Sequence, residues 1–170
     1  MVKGLHGNDI RVIMDVVYNH VYNAANHSFN KTVPGYYFRY DDNGSLVNNS
    51  GCGNDTASER KMMRKYIVDS VTYGAKNYNV DGFRFDLMGL IDTETMKEVR
   101  AALDEIDPSI IILGEGWDMN TTMDEGEMTI QPNAYQVASD GTNNGIAFFN
   151  DSVRDGLKGS VFSDTDTGFV

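Results

Sequence analysis

The sequence predicts an α/β domain built around a parallel β-sheet. Three short runs have the length and the Val, Ile or Phe content of buried strands, and they lie at residues 10–18, 80–86 and 110–113. Amphipathic helical patterns lie between the first and second runs and between the second and third. Apolar strands that alternate with amphipathic helices are typical of βαβ units. With 170 residues, the chain has the length of one domain, 1–170.

Composition excludes some classes of partner. Net charge is −11 and the isoelectric point is near 4.5, which argues against binding to nucleic acid or to an anionic membrane surface. No run approaches transmembrane length and no signal-peptide pattern is present, so cytoplasmic and secreted locations both remain open. Cys52 is the single cysteine, which makes an internal disulfide impossible.

The first strand follows a helix-like stretch at residues 1–7 and is continuously apolar, as expected of a strand covered on both faces. Residues 21–55 then show no long periodic segment. Within them, residues 35–47 predict a small hairpin around the Asn43–Gly44 turn. A loop of this length in a compact domain is usually functional or disordered, and its aromatic content argues against disorder.

Two helices are predicted from their apolar stripes. The first covers about 56–79, with a cap from residues 54–58 and a buried stripe of Met63, Ile67, Val71 and Tyr78. The second covers about 93–105, with a cap at Asp92 or Thr93 and a stripe of Met96, Val99, Leu103 and Ile106. Beyond the third strand, residues 119–132 predict a polar surface loop that carries substrate-side contacts. A short apolar segment at 146–149 precedes a helical turn at 150–158. Asn150 and Asp151 could line the cleft or cap this turn, and the cap is the preferred interpretation.

Polar side chains follow each predicted strand: Asp15, Asn19 and His20 at the first, Arg84 and Asp86 at the second, and Glu115, Trp117 and Asp118 at the third. The carboxyl ends of parallel strands share one edge of the sheet, and that edge carries the site in such folds. These side chains therefore predict a site rather than separate structural ion pairs.

Two carboxylates in this set have different surroundings in the sequence. Arg84 lies two residues from Asp86 and on the same strand face, so it favours the ionised form of Asp86. Glu115 lies beside Trp117 with no cation adjacent in sequence, which favours its protonated form. An ionised and a protonated carboxyl on neighbouring strands suit a retaining glycosidase, whose carboxyls lie about 5–5.5 Å apart. Taken alone, Asp86 could instead be a metal ligand or part of a structural ion pair.

The motifs at residues 15–20, 82–86 and 114–117 resemble, in order and spacing, the first three sequence regions of glycoside hydrolase family 13, the α-amylase superfamily. Residues 33–39, 51–59, 85–89 and 148–159 resemble type I pullulanases in particular. The resemblance implies that Asp86 is the nucleophile and Glu115 the acid/base. It further assigns substrate binding to Asp15, Tyr18, Asn19, His20, Arg84, Leu87 and Trp117. It implies no cofactor; calcium lies near the position of Asn19 in some relatives, but no metal is assigned.

The sequence also departs from the family pattern. The family's fourth region, a His-Asp pair near the seventh strand that supplies a third carboxylate, is absent, as is the Tyr-Asn-Trp-Gly-Tyr motif of pullulanases. The resemblance therefore implies a partial (β/α)8 TIM barrel, about strands three to five, with residues 21–55 inserted after the third strand. We expect a central segment of a debranching enzyme that hydrolyses α-1,6 linkages in α-glucan polysaccharides or oligosaccharides with retention. Its partners would include the missing barrel segments, and the chain alone would be inactive.

Two alternatives remain open at this point. The first is another enzyme of the superfamily, such as an isoamylase, an amylase or a branching enzyme. The second is a non-catalytic α-glucan-binding module.

Overall fold

The computed structural model describes residues 1–139, 145–163 and 165–169. The strands in this part are, in chain order, β1 (Ile13–Val16), β2 (His20–Val21), β3 (Asn54–Asp55), β4 (Gly82–Phe85), β5 (Ile111–Gly114) and β6 (Ala147–Phe148). The α-helices are α1 (Val2–His6), α2 (Ser28–Thr32), α3 (Lys61–Tyr78), α4 (Thr93–Asp104) and α5 (Asp151–Lys158). Short 3-10 helices lie between them, including Met88–Leu90 and the seven-residue Gln131–Val137.

Within the described residues, four strands form a parallel sheet in the order β1-β4-β5-β6. The prediction of a parallel sheet with helical crossovers is therefore confirmed. Strand β6 comes from the apolar segment at 146–149, which was too short to be predicted as a strand. Because all of these strands are parallel, their carboxyl ends lie side by side along one edge of the sheet.

The core lies between the sheet and the helices α3 and α4. Phe83 and Phe85 of β4 are fully buried and form its centre. Helix α3 contributes Met63, Ile67 and Val71, while α4 contributes Met96, Val99 and Leu103. Both predicted stripes thus face the core, except for Tyr78, whose side chain is exposed. No helix in the described ranges is long and apolar enough to cross a membrane.

Strand β1 differs from its prediction in length and in burial. It extends over Ile13–Val16 only, and Ile13 and Met14 are exposed, whereas Val16 is buried. The expectation of a strand covered on both faces was wrong because β1 lies at the edge of the described sheet and pairs with β4 alone.

Helix α3 begins at Lys61, five residues later than predicted. Residue Arg60 occupies the N-cap position without a side-chain cap, so the predicted caps were wrong. Two of the predicted caps have other partners: Thr56 Oγ1 donates to the Tyr18 carbonyl, and Ser58 Oγ accepts from the Asp92 amide. The cap of α4 is confirmed, since the Asp92 carboxylate accepts from the Thr95 amide at 2.9 Å.

The long loop is closed at its base by an antiparallel pair, in which β2 meets β3. Its predicted hairpin is reduced to a bridge between Tyr40 and Leu46 around a turn, where Gly44 has φ +77°. Later in the chain, the segment 119–132 is only partly a surface loop. Its last part is buried, since Met128, Thr129 and Ile130 are each 3% exposed or less.

Candidate active site

The sheet register brings the strand-end residues together. Asp15 of β1 pairs with Arg84 of β4, and Arg84 pairs with Leu113 of β5. The ladder continues past the strand ends, because the Asp86 amide donates to Val16 O at 3.0 Å and the Glu115 amide donates to Phe85 O at 3.1 Å. Asp86 and Glu115 therefore follow neighbouring strands at the same edge, as predicted.

Arg84 joins the carboxylates at this edge. Its Nη1 lies 2.9 Å from Asp15 Oδ1 and 3.0 Å from Asp86 Oδ1, and its Nη2 lies 2.6 Å from Glu115 Oε1. Burial lowers the pKa of Arg84, but the hydrogen bonds to Asp15 and Asp86 and the charge of Glu115 outweigh burial, and the pKa is raised above its ordinary value. The guanidinium therefore stays charged.

The contact between Arg84 and Glu115 corrects one expectation. Glu115 has no cation beside it in the sequence, but the neighbouring strand supplies one across the sheet. The Arg84 guanidinium therefore contacts both carboxyl groups, Asp86 on its own strand and Glu115 on the neighbouring one.

Asn19 holds Asp86 in place through two hydrogen bonds. It is fully buried, and its Nδ2 donates to the Asp86 carbonyl at 2.6 Å and to Asp86 Oδ2 at 3.2 Å. Since Nδ2 is the donor, Asn19 Oδ1 is an acceptor, so His20 Nδ1, which lies 2.5 Å from it, must carry a proton. This contact fixes the tautomer of a neutral His20 and leaves Nε2 as the acceptor.

Two backbone amides from the turn after β4 donate hydrogen bonds to Glu115. Oε2 accepts from the Leu87 amide at 3.1 Å, and the Glu115 carbonyl accepts from the Gly89 amide at 3.0 Å. Leu87 has φ +37°, a left-handed conformation that non-glycine residues rarely adopt. Such strain persists only where surrounding contacts enforce it, and it often accompanies functional sites. Leu87, which was predicted to bind substrate, contacts the Glu115 carboxyl through its N–H group.

A cavity of about 640 Å³ opens beside Glu115. Its lining includes Trp117, Gln131, Asp151, Arg154 and Phe162. The Phe149 ring lies under the Arg84 guanidinium, with 5.8 Å between the guanidinium carbon and the ring centroid. Apolar faces and polar groups of this kind suit a sugar.

Several of these residues were not named individually as site residues from the sequence. Gln131 comes from the loop that was predicted to carry substrate-side contacts, and Asp151 and Arg154 line the cavity from the predicted helical turn. Phe149, which directly precedes that turn, contacts Arg84. The motif at 148–159 was the available signal. The predicted cap is confirmed, since Asn150 Oδ1 accepts from the Val153 amide at 2.9 Å.

Tyr18, which was predicted to bind substrate, contacts helix α3 in the structure. The Tyr18 hydroxyl bonds Ser70 of α3 at 2.8 Å and its ring packs against Phe85, so Tyr18 lies on the helix side of the sheet and away from the carboxylates. Burial raises the pKa of Tyr18, and the Ser70 hydrogen bond only partly opposes this. Gly116, next to Glu115, has no room for a side chain, because a Cβ there would lie 2.3 Å from the Phe148 ring.

Metal binding was left unassigned by the sequence. Within 1–139, 145–163 and 165–169, no group of His, Cys, Asp or Glu side chains is arranged to hold a metal ion.

Comparison with known proteins gives consistent relatives. No protein-family model matches the chain. The pullulanase of Bacillus subtilis strain 168 is 46% identical over 170 residues, which is all of this chain and 23% of that protein. A crystal structure of pullulanase from Anoxybacillus sp. LM18-11 with maltotriose matches 99% of this chain and 23% of that one, with 54% identity and a TM-score of 0.92.

A further structure, pullulanase from Paenibacillus barengoltzii with maltohexaose and α-cyclodextrin, has 48% identity and a TM-score of 0.93 over 99% of this chain and 25% of that one. The chain thus spans about a quarter of the length of these relatives. Over its own whole length, the chain is homologous to a segment of pullulanases.

Proposed function

We propose that this chain forms the catalytic centre of an α-glucan debranching hydrolase that cleaves α-1,6 linkages with retention. The observation that carries the proposal is the Arg84 guanidinium, which contacts both Asp86 and Glu115 at adjacent strand ends. This pair lies in a segment homologous to pullulanases, some of which have been crystallised with maltotriose or maltohexaose. We further propose that the sheet is part of a (β/α)8 barrel, with residues 21–55 as an insertion.

In the proposed first step, Asp86 is the nucleophile. Its carboxylate oxygen forms a bond to the anomeric carbon as the bond from that carbon to the leaving oxygen breaks, and Glu115 gives its proton to the leaving oxygen. In the second step, Glu115 takes a proton from water, the resulting hydroxide attacks the anomeric carbon, and Asp86 leaves as a carboxylate. Retention follows from the two displacements.

This cycle requires a protonated Glu115 when the glucan is bound. In the open site, Arg84 Nη2 lies 2.6 Å from Glu115 Oε1. A sugar that fills the cavity next to Glu115 would displace water from this carboxyl group. Arg84 would then remain paired with Asp86 and Asp15.

His20, Asn19 and Asp15 have supporting roles in the proposal. Asn19 holds Asp86 in place and fixes the proton of His20 on Nδ1, so that Nε2 can accept a hydrogen bond from a sugar hydroxyl. Asp15 is 68% exposed and can accept from another hydroxyl while it remains paired with Arg84. The exposed faces of Trp117 and Phe149 provide apolar surface for sugar rings.

The proposal is tested in a full-size protein. Residues 1–170 replace the matching segment of B. subtilis pullulanase, to which they are 46% identical, and the chimera is assayed on pullulan by reducing-sugar release. We expect activity that Asp86→Asn lowers by several orders of magnitude while maltotriose binding survives. Glu115→Gln should abolish hydrolysis of pullulan yet spare the first step on aryl glycosides, whose leaving groups need little protonation.

Two results would contradict the assignment. Near-normal turnover in the Asp86→Asn chimera would remove Asp86 from the nucleophile role. Equal losses on pullulan and aryl glycosides in the Glu115→Gln chimera would make Glu115 structural. A folded chimera that cleaves amylose and leaves pullulan intact would favour another enzyme of the superfamily.

The 170-residue chain alone is expected to bind maltotriose without debranching pullulan. The sequence contains no counterpart of the third carboxylate, which the fourth region supplies in the family that it resembles. Catalysis of this type depends on preorganised charges, and removal of one such group commonly costs about 10²–10³-fold in rate. Turnover by the purified chain that disappears in its Asp86→Asn variant would show that the chain is self-sufficient.

A further inference from the structure

Arg39, in the long loop, is a buried cation outside the Arg84 cluster. Its side chain is 2% exposed. Nη2 lies 2.8 Å from Glu59 Oε2 and donates to Ser58 Oγ at 3.2 Å, and Nε donates to Glu59 Oε2 at 3.1 Å. These contacts hold the guanidinium against the residues that precede α3.

The remaining nitrogen of this guanidinium reaches the site. Arg39 Nη1 donates to the Leu90 carbonyl at 2.8 Å in a buried contact. Leu90 closes the 3-10 turn, because its amide donates to the Leu87 carbonyl at 2.9 Å. The Leu87 amide in turn donates to Glu115 Oε2. A continuous chain of hydrogen bonds therefore connects Arg39 to Glu115.

Arg39 also contacts the chain that follows Glu115. Nη1 lies 3.4 Å from Thr121 Oγ1, and Nη2 lies 3.1 Å from Met123 Sδ. One guanidinium thus bridges the turn that holds the Glu115 carboxylate and the segment that leaves Trp117. Leu87 needs such support, since φ +37° is unfavourable for a leucine.

We propose that Arg39 is a positioning residue, which fixes the 87–90 turn so that the Leu87 N–H stays directed at Glu115. The consequence for catalysis rests on the proposed function, in which Glu115 is the acid/base. The effect of Arg39 on the 87–90 turn is independent of that function. The proposal also gives a role to two motifs, 33–39 and 51–59, that lie outside the carboxylate cluster: they supply Arg39 and its partners Ser58 and Glu59.

A purely structural role for Arg39 would affect the whole fold, whereas a positioning role affects the 87–90 turn first. Amide hydrogen exchange separates the two. Exchange is measured by NMR on the 170-residue chain at Leu87 and Gly89, and at Leu103 in α4 as the reference for global opening. The variants are Arg39→Gln and Arg39→Lys.

Arg60→Gln is the matched control. Arg60 Nη1 donates to the Gly35 carbonyl at 2.6 Å, so it supports the same loop as Arg39. We expect Arg39→Gln to accelerate exchange at Leu87 and Gly89 by about tenfold or more relative to Leu103, since a buried charged hydrogen bond is lost. Arg60→Gln should leave this ratio unchanged.

Arg39→Lys should show a partial effect, because an ammonium keeps the charge beside Glu59 but cannot reproduce the forked contacts to Leu90 and Ser58. Equal acceleration at Leu87 and Leu103 in Arg39→Gln would overturn the proposal. So would an unchanged ratio at Leu87. Mass spectrometry of the peptide 86–91 in the B. subtilis chimera repeats the comparison in a full-size protein.

Kinetics of the chimera test the catalytic consequence. Arg39→Gln should lower kcat on pullulan more than it changes KM, and it should lower turnover of aryl glycosides less, the same pattern as for Glu115→Gln. Equal losses on both substrates would contradict a role through Glu115. An inactive parent chimera would count against the proposed function alone, because the exchange ratio at Leu87 would still decide the role of Arg39.

Discussion

Asn19→Asp is the sharpest test of how Asp86, the proposed nucleophile, is held. The substitution preserves shape and replaces the donating Nδ2 with a carboxylate oxygen, 2.6 Å from the Asp86 carbonyl and 3.2 Å from Asp86 Oδ2. The new carboxylate oxygen then faces the carbonyl oxygen and the Oδ2 atom of Asp86, and no hydrogen lies between these acceptors. The variant therefore removes the hydrogen bonds that Asn19 donates and adds a charge, while the packing of the side chain is preserved.

The expected cost follows from two terms. A buried polar group left without its partner costs about 1–3 kcal/mol. Two unit charges about 4 Å apart repel by about 4 kcal/mol at an effective dielectric constant of about 20. Asp86 is 26% exposed, so water screens part of that repulsion. Together, the terms predict a loss of about 3–6 kcal/mol from the free energy of unfolding.

The loss depends on pH with a defined sign. The charged form of the introduced carboxyl is disfavoured in the fold, which raises its pKa above the ordinary value of about 3.9. The penalty is therefore small below about pH 4 and grows as pH rises through the raised pKa.

Thermal unfolding at pH 7 and in acid measures this difference, with Trp117 fluorescence as a local probe and circular dichroism as a global one. A loss of that size lowers Tm by roughly 6–24 °C for a chain of this length. The control is Asn8→Asp, at an exposed Asn that donates to the Gly4 carbonyl at 2.9 Å, where the effect should stay within about 1 kcal/mol. A variant as stable as the parent at pH 7 would refute the donor role of Asn19.

Two further predictions concern the supports of the site and the opposite edge of the sheet. Gly89→Ala should destabilise the chain and shift Trp117 emission, because its Cβ would lie 1.9 Å from the Trp117 carbonyl. The control is Gly126→Ala, whose Cβ meets nothing within 4 Å and which should change neither the stability nor the emission. Urea titrations followed by fluorescence measure both quantities. Asp81→Asn should destabilise at pH 7 and not in strong acid. The Val12 amide, at 2.6 Å, lowers the pKa of Asp81 against the effect of burial, and His6 lowers it further, so this stability is present above the ordinary pKa and lost as pH falls through the lowered one. Urea unfolding from pH 7 to pH 2 measures the difference in free energy of unfolding between the parent chain and Asp81→Asn. A difference that stays constant over this pH range would contradict this assignment.

The sequence predicts the site better than it predicts the contacts inside it. The parallel sheet and the shared edge could be predicted, because strands and helices alternate and parallel strands point one way. Asp86 and Glu115 therefore lie where they were expected. The Arg84–Glu115 contact could not be predicted, since it depends on which strands are neighbours and on the direction of a long side chain.

Other differences have physical causes of the same kind. The burial of β1 was overestimated because apolar content does not distinguish an edge strand from a central one. Helix α3 starts late because Thr56 and Ser58, which are good caps in principle, have tertiary partners. The role of Arg39 was invisible in sequence, since a lone arginine in a loop is normally solvated.

The charge balance of the site suits the proposed chemistry better than a purely structural cluster. Asp15, Asp86 and Glu115 surround Arg84, so the carboxylates outnumber the cation and excess negative charge remains beside the cavity. A structural ion pair gains most when its charges cancel, because uncancelled buried charge costs desolvation energy. A glucan is neutral, but the glycosyl transition state carries positive charge. Negative charge that is held in place before substrate arrives stabilises that transition state without reorganisation. Under the proposed function, the excess charge at this edge acts on the reaction, and Arg84 orients the carboxylates that supply it.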